Sequence, residues 1–275
     1  MLIDTHHHYW NYNPVDFDWI DDEMTAIRRD FLPVDLKAIL SANGVDGVVS
    51  VQARQCLEET DWLLEMAAEN EFMRGVVGWV PLIAENIQDI LEKYTVNPWL
   101  KAVRHVIQAE PDPEFIFRRN FNRGVALLKN FGLVYDILIF EHQLVNSMRF
   151  VDQHPEQQFV LDHLAKPQIK AGKLEPWARN LKELARRENV FCKVSGMLTE
   201  ADYKSWTSEQ LRPYLDTVLE AFGPSRLLYG SDWPVCLVAG SYGNWLQLVR
   251  NVFSELTTDE QDLIFYKNAE KIYQL

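Results

Sequence analysis

Short runs of apolar and β-branched residues recur along the chain, each followed by a polar cluster and then by a stretch with helical spacing. Eight runs read as strands: Leu2–Thr5, Gly47–Val51, Gly75–Val80, Ala102–Ile107, Leu133–Phe140, Phe159–Asp162, Val190–Ser195 and Leu227–Gly230. Several are hydrophobic almost without interruption, as strands are when both faces of a parallel sheet are covered. Between them, apolar positions fall three and four apart. In EETDWLLEMAAEN, Trp62, Leu63, Met66 and Ala67 share one face, and Glu58 and Glu59 suit the positive end of the helix dipole. WARNLKELARREN repeats the pattern with Leu181, Leu184 and Ala185. LRPYLDTVLEAFG repeats it with Leu215, Val218, Leu219 and Phe222, and Gly223 supplies a C-terminal stop.

Strand and helix alternating eight times within 275 residues predict a single-domain (β/α)8 TIM-type barrel over residues 1–275. An open doubly wound sheet is the alternative, but it would carry a glycine-rich turn after its first strand, and none is present. No linker, low-complexity block or internal repeat divides the chain. Asn11–Pro33, which contains DFDWIDDEM, is a long first loop placed to lie across the barrel mouth, and its acidic run Asp16–Glu23 reads as solvated.

Composition adds mainly exclusions. With 47% hydrophobic residues and 9 Trp, 10 Tyr and 14 Phe, the chain fills a core easily. Forty acidic against 27 basic residues give a net charge of −13, which disfavours nucleic acid while leaving room for a small anion held by local cations. Cys56, Cys192 and Cys236 are widely spaced and form no C-x-x-C pair, as expected of reduced, mostly buried thiols. No apolar run approaches 18 residues and no basic segment precedes the short apolar start, so the expectation is a soluble cytoplasmic protein without a membrane partner.

Side chains at the C-terminal ends of barrel strands converge on one pocket. The first run closes in His6, His7 and His8. Alternation along a strand turns His6 and His8 to one side and His7 to the other. Such a pair aims two imidazoles at one point, where a metal or a polarised substrate oxygen could sit; a solvated turn is the competing reading of the pair alone. A tag remnant fails on position, because a β-type run precedes the histidines and Tyr9-Trp10 follows. His163 after the sixth run and Asp232 after the eighth change the balance. Neutral imidazoles with a carboxylate suit Zn2+ or a similar ion, and an aspartate beside them can serve as general base toward water.

Further rim residues are candidates for substrate contact. Arg104 and His105 are neighbours on one strand, so one of them enters the pocket; the permanent charge favours Arg104 for a developing anion, with a barrel-bottom or interstrand ion pair the competing role. Trp10, Trp79 and Trp233 lie near three strand ends, where an aromatic side chain either stacks on a sugar-like substrate ring or packs in the core. Gln52 and Tyr135 are placed to meet hydroxyls, and Lys166 is a further substrate-binding candidate. Lys193 lies mid-strand and must be paired if buried. The nearest approach to G-x-S-x-G, at Ala239–Gly243, lacks the first glycine, and Cys192 is disfavoured as a nucleophile.

The segments IDTHHHYW, LPVDLKAIL, VQARQCLEETDWLLE, VRHVIQAEPD, YDILI, VLDHLAKP, FCKVSGMLTEA and LLYGSDWPV resemble the amidohydrolase-2 branch of the amidohydrolase superfamily. Within it they are most similar to sugar-lactone hydrolases of the L-fuconolactonase and L-rhamnonolactonase type. His6 and His8 match the strand-one pair, His163 the strand-six histidine and Asp232 the strand-eight aspartate. The resemblance implies that these four are catalytic and would hold any metal. Binuclear members of the superfamily also use a carboxylated lysine on strand four and a histidine on strand five. Here Lys101 sits at the opposite end of strand four, and Tyr135-Asp136 stand in the histidine's place. At most one divalent ion is therefore implied, with Zn2+ the candidate, and some relatives open lactones without metal. The implied activity is hydrolysis of an aldono-1,4- or 1,5-lactone to the aldonic acid, with Asp232 activating water. The implied partner is the small-molecule lactone, with a homo-oligomer left open. A metal-dependent non-oxidative decarboxylase and a non-catalytic sugar-acid binding protein are the alternatives.

Overall fold

Eight parallel strands pair in sequence order: β1 (Ile3–His7), β2 (Gly47–Val51), β3 (Met73–Gly78), β4 (Leu100–His105), β5 (Val134–Ile137), β6 (Phe159–Leu161), β7 (Val190–Val194) and β8 (Leu227–Tyr229). The computed structural model describes residues 1–275. The sheet curls until its first and last strands meet. Thr5 Oγ1 donates to the Tyr229 carbonyl, His8 N to that of Trp233 and Asp232 N to that of His6, each at 2.7 Å. The (β/α)8 barrel expected from the strand–helix alternation is the fold.

The helices are α1 (Pro33–Asn43), α2 (Leu57–Glu69), α3 (Ile87–Tyr94), α4 (Arg119–Leu128), α5 (Leu144–Asp152), α6 (Trp177–Leu184), α7 (Met197–Glu200), α8 (Ser208–Phe222), α9 (Tyr242–Val252), α10 (Thr258–Asp262) and α11 (Asn268–Tyr273). Most pack an apolar stripe against the outer barrel wall, within a continuous core of 70 buried residues that extends into the first loop. At α8 a capping box satisfies the first turn: Gln210 N donates to Thr207 Oγ1 at 3.4 Å and Thr207 N to Gln210 Oε1 at 3.0 Å. No helix is long and apolar enough to cross a membrane.

Strand boundaries differ most from expectation at β5, which ends at Ile137 and not at Phe140. Leu138 and Ile139 stay buried after leaving the ladder, so hydrophobicity alone overextends the strand.

Inside the barrel, residues of one parity stack in layers. Ile3, Val49, Val77, Ala102, Val134, Val160, Phe191 and Leu228 form an apolar floor, closed from below by Ala269, Ile272 and Tyr273 of the α11 region. Two residues further along their strands stand Arg104, Asp136, Asp162 and Lys193, which make a polar layer above that floor. On β1 the register shifts between Asp4 and His7. This irregularity lets Ile3 face the floor while His6 and His8 both turn inward.

Candidate active site

Four donors meet above the polar layer. His6 Nε2 and His8 Nε2 are 3.2 Å apart. Asp232 Oδ1 lies 3.5 Å from His8 Nε2, 3.8 Å from His6 Nε2 and 3.9 Å from His163 Nε2. His163 opens a run of left-handed backbone through Leu164, Ala165 and Lys166, with φ of 53, 55, 59 and 50°, and Asp232 is left-handed as well at 57°. Such conformations cost on the order of 1 kcal/mol each in residues other than glycine, so the surroundings must enforce them. Trp177 Nε1 donates to the Leu164 carbonyl at 2.7 Å, and Lys166 N donates to that of His163 at 2.8 Å. Glycine is required beside two of the rings. A Cβ on Gly196, itself at φ +67°, would come within 2.4 Å of His163 Nδ1, and one on Gly230 within 2.8 Å of His6 Cβ.

A second layer orients the imidazoles. His8 Nδ1 faces the Val51 carbonyl at 2.8 Å. A carbonyl only accepts, so this nitrogen carries the proton and Nε2 turns its lone pair to the cluster. His163 Nδ1 hydrogen-bonds with Ser195 Oγ at 2.9 Å. His6 Nδ1 stands 3.3 Å from Asp162 Oδ1 and 3.3 Å from Lys193 Nζ. Burial holds His6 well below the usual imidazole range and His163 down at about 4, so both rings are neutral at ordinary pH. Burial opposes ionisation of Asp232, yet the facing His163 and His8 with Lys166 keep it below the usual carboxylate value. In Asp162 burial is likewise outweighed, by Lys193, His6 and Arg104.

The donor set fits a divalent ion. Zinc–nitrogen bonds of 2.0–2.1 Å in a tetrahedral shell place ligand atoms about 3.3 Å apart. Among His6, His8 and Asp232 the separations, 3.2 to 3.8 Å, straddle that value and the three form a compact ligand group, while His163 Nε2 approaches Asp232 Oδ1 to 3.9 Å.

Over the cluster opens a cavity of about 540 Å³. Of the predicted residues, His8, Arg104, His163, Lys166 and Asp232 line it, with His6 buried directly beneath. Arg104 Nη1 reaches His6 Nε2 at 3.4 Å and donates to Asp162 Oδ2 at 2.9 Å, while Nη2 donates to the Gln52 carbonyl. Lys166 Nζ is 3.9 Å from Glu200 Oε1, which also lines the cavity. The first loop does cross the mouth. Asp16, Asp18 and Trp19 line the cavity, so part of the acidic run is not simply solvated, and Asp16 Oδ1 pairs with Arg54 Nη2 at 3.0 Å.

Six candidate substrate-binding residues do not line the cavity. Trp10 is fully buried, donating from Nε1 to the Arg29 carbonyl at 2.9 Å. Trp233 packs edge-on against Tyr9 and Phe31. Tyr135 faces outward among Phe121, Phe150 and Phe159. His105 also points outward, stacked on Phe115 with Nε2 2.6 Å from Glu110 Oε1, and Trp79 Nε1 donates to its Nδ1 at 3.3 Å. Gln52 is a buttress, donating from Nε2 to the Arg104 carbonyl at 3.2 Å. Conversely, Trp19, Glu200, Asp136 and Asp162 belong to the site or its support without having been singled out from the sequence. Period-two parity would have found two of them: Asp136 and Asp162 share the inward register of Arg104, whereas Tyr135 and His105 do not.

A histidine–carboxylate cluster at the C-terminal rim of a parallel eight-stranded barrel, under a cavity large enough for a small metabolite, defines a barrel enzyme. The chain belongs to the amidohydrolase family: the profile of the family described as Amidohydrolase matches residues 3–275. It is similar to the L-fucono-1,5-lactonase of Burkholderia multivorans (strain ATCC 17616 / 249), 37% identical over 286 residues that cover 100% of this chain and 96% of the relative. The L-fucono-1,5-lactonase of Burkholderia ambifaria is 33% identical over 277 residues, covering 99% and 95%. Among solved structures, an amidohydrolase from Burkholderia multivorans with bound zinc matches with a TM-score of 0.97 at 37% identity, covering 100% of this chain and 99% of that one.

Proposed function

We propose that the protein hydrolyses an aldonolactone to its aldonic acid, with L-fucono-1,5-lactone the first candidate substrate. The observation that carries this reading is the Asp232 carboxylate, in contact with three imidazoles at the base of a metabolite-sized cavity. The names of the two lactonase relatives support the substrate class.

The contacts to the imidazoles all use Asp232 Oδ1, which leaves Oδ2 to take a proton from water. The water oxygen attacks the lactone carbonyl, and the guanidinium of Arg104 stabilises the negative charge that develops on the carbonyl oxygen. When the ring C–O bond breaks, the proton held on Asp232 passes to the departing alkoxide, which restores the carboxylate. Lys166 and Glu200, on the cavity wall, orient the sugar hydroxyls. A divalent ion held by His6, His8, His163 and Asp232, with Zn2+ favoured by the zinc-bound relative, would supply Lewis acidity toward the carbonyl oxygen.

Acid release from a panel of aldono-1,4- and 1,5-lactones, followed with a pH indicator above the spontaneous rate, tests the proposal. Turnover of 6-deoxy sugar lactones is expected, and inactivity across the panel with and without added zinc refutes it. The same assay after chelation measures whether the ion is needed.

A further inference from the structure

Below the four-donor cluster lies a set of buried charges that the proposed reaction does not use. Lys193 Nζ, fully buried, is 2.5 Å from Asp136 Oδ2, 3.1 Å from Asp162 Oδ1 and 3.3 Å from His6 Nδ1. Tyr273, from the helix that closes the barrel floor, donates its hydroxyl to Asp136 at 3.0 Å. The other oxygen of Asp162 takes Arg104. Asp136 and Asp162 are both at 0% exposure. Two carboxylates this deep in a dry core need a cation between them. Asp162 also belongs with His6 and His163 to a group whose ligand atoms lie within 4.8 Å of one another, so one of the two carboxylates already faces donors able to hold a metal.

We propose that the Lys193 ammonium is a resident cation standing where a divalent ion would otherwise sit between Asp136 and Asp162. It balances the carboxylates and excludes a second ion by charge and by volume. Any ion the protein binds is thereby confined to the upper cluster of His6, His8, His163 and Asp232. Shortening the lysine to alanine removes the charge, vacates the volume of its stem and leaves two oxygen ligands facing the gap. Oxygen-rich sites favour hard ions, and Mn2+ accepts carboxylate and imidazole alike.

The test is an ion count. Wild type, Lys193→Ala, Lys193→Arg and Lys193→Ala/Asp136→Asn are loaded side by side with Mn2+ and desalted, and bound metal per chain is measured by plasma mass spectrometry. Lys193→Ala is expected to carry one more Mn2+ per chain than wild type. Lys193→Arg should match wild type, and the double variant should fall back to the wild-type count. Equal counts in wild type and Lys193→Ala overturn the proposal, because a purely structural lysine would lower the melting temperature without changing the number of ions. The reading is a difference, so it stands apart from lactonase activity and from the ion content of the wild type itself. Should Lys193→Ala purify unfolded, it is refolded in graded Mn2+. Mn2+-dependent recovery of Lys193→Ala that is lost in Lys193→Ala/Asp136→Asn supports the proposal, and failure at every concentration, or equal recovery of both variants, counts against it, since an ion between the carboxylates would restore the missing charge.

Discussion

Asp232 presents one oxygen to His6, His8 and His163 and is 4% exposed, so its substitution acts on chemistry before it acts on packing. Asp232→Asn keeps the shape and removes the base. In the lactone assay its kcat should fall by about 10²–10⁴-fold, the usual share of a general base, with KM and melting temperature little changed. A fall of less than about tenfold would assign the base elsewhere. Gly196 tests the packing of the same cluster. A Cβ there meets His163 Nδ1 at 2.4 Å and must also adopt φ +67°. Gly196→Ala should therefore displace the His163 ring, cutting turnover more than tenfold and lowering stability by about 1–3 kcal/mol. Turnover and thermal unfolding of the variant measure both. At this scale the sequence was legible where an ionisable residue closes an apolar run: His6, His8, His163 and Asp232 all stand at such ends. It was poorly legible for aromatics. Trp10, Trp233 and Tyr135 fit a core as well as a sugar face, and nothing local in the chain says which neighbours will cover them.

At the scale of elements, the site is closed by two segments far apart in sequence. The first loop brings Asp16, Asp18 and Trp19 over the cavity, and the turn after β2 brings Arg54 to meet them. That turn is itself tied down from α2, where Glu59 Oε2 accepts from Arg54 N at 2.6 Å and from Ala53 N at 3.1 Å. The strand–helix repeat was readable because each element carries its own periodicity. The Asp16–Arg54 contact was not, because an acidic run looks solvated until its partner is in place. Both side chains are 36% exposed, so the pair adds less than about 1 kcal/mol to stability. Asp16→Asn should leave the melting temperature within about 1 °C of wild type. It should raise KM for the lactone several-fold by loosening the cavity mouth, with a smaller change in kcat. An unchanged KM would separate the loop from substrate binding.

For the whole molecule, the dependence of stability on pH mixes opposing contributions. Burial pushes the Glu59 carboxyl up to about 7, against its hydrogen bonds from Arg54 N and Ala53 N and the charge of Arg54. Between about pH 4.5 and 7 the folded chain therefore binds a proton that the unfolded chain has released, and this contribution to stability falls as pH rises. His6 and His163 act in the opposite sense. Their rings stay neutral when folded, so below about pH 6.5 the unfolded chain binds protons that the folded one refuses, and stability from them grows with pH. A wild-type melting curve alone sums these effects. Glu59→Gln isolates one of them, because glutamine keeps an acceptor for both backbone amides and has no charge to desolvate. Near pH 5 the variant and wild type should melt at similar temperatures, since Glu59 is then protonated in the fold. By pH 8 the variant should gain by up to about 3 kcal/mol, the value of the shift at 1.36 kcal/mol per unit, or several degrees for a chain of this size. Differential scanning fluorimetry at constant ionic strength across pH 5–8 measures the gap, and a gap that stays constant over that range would show that Glu59 is ionised throughout.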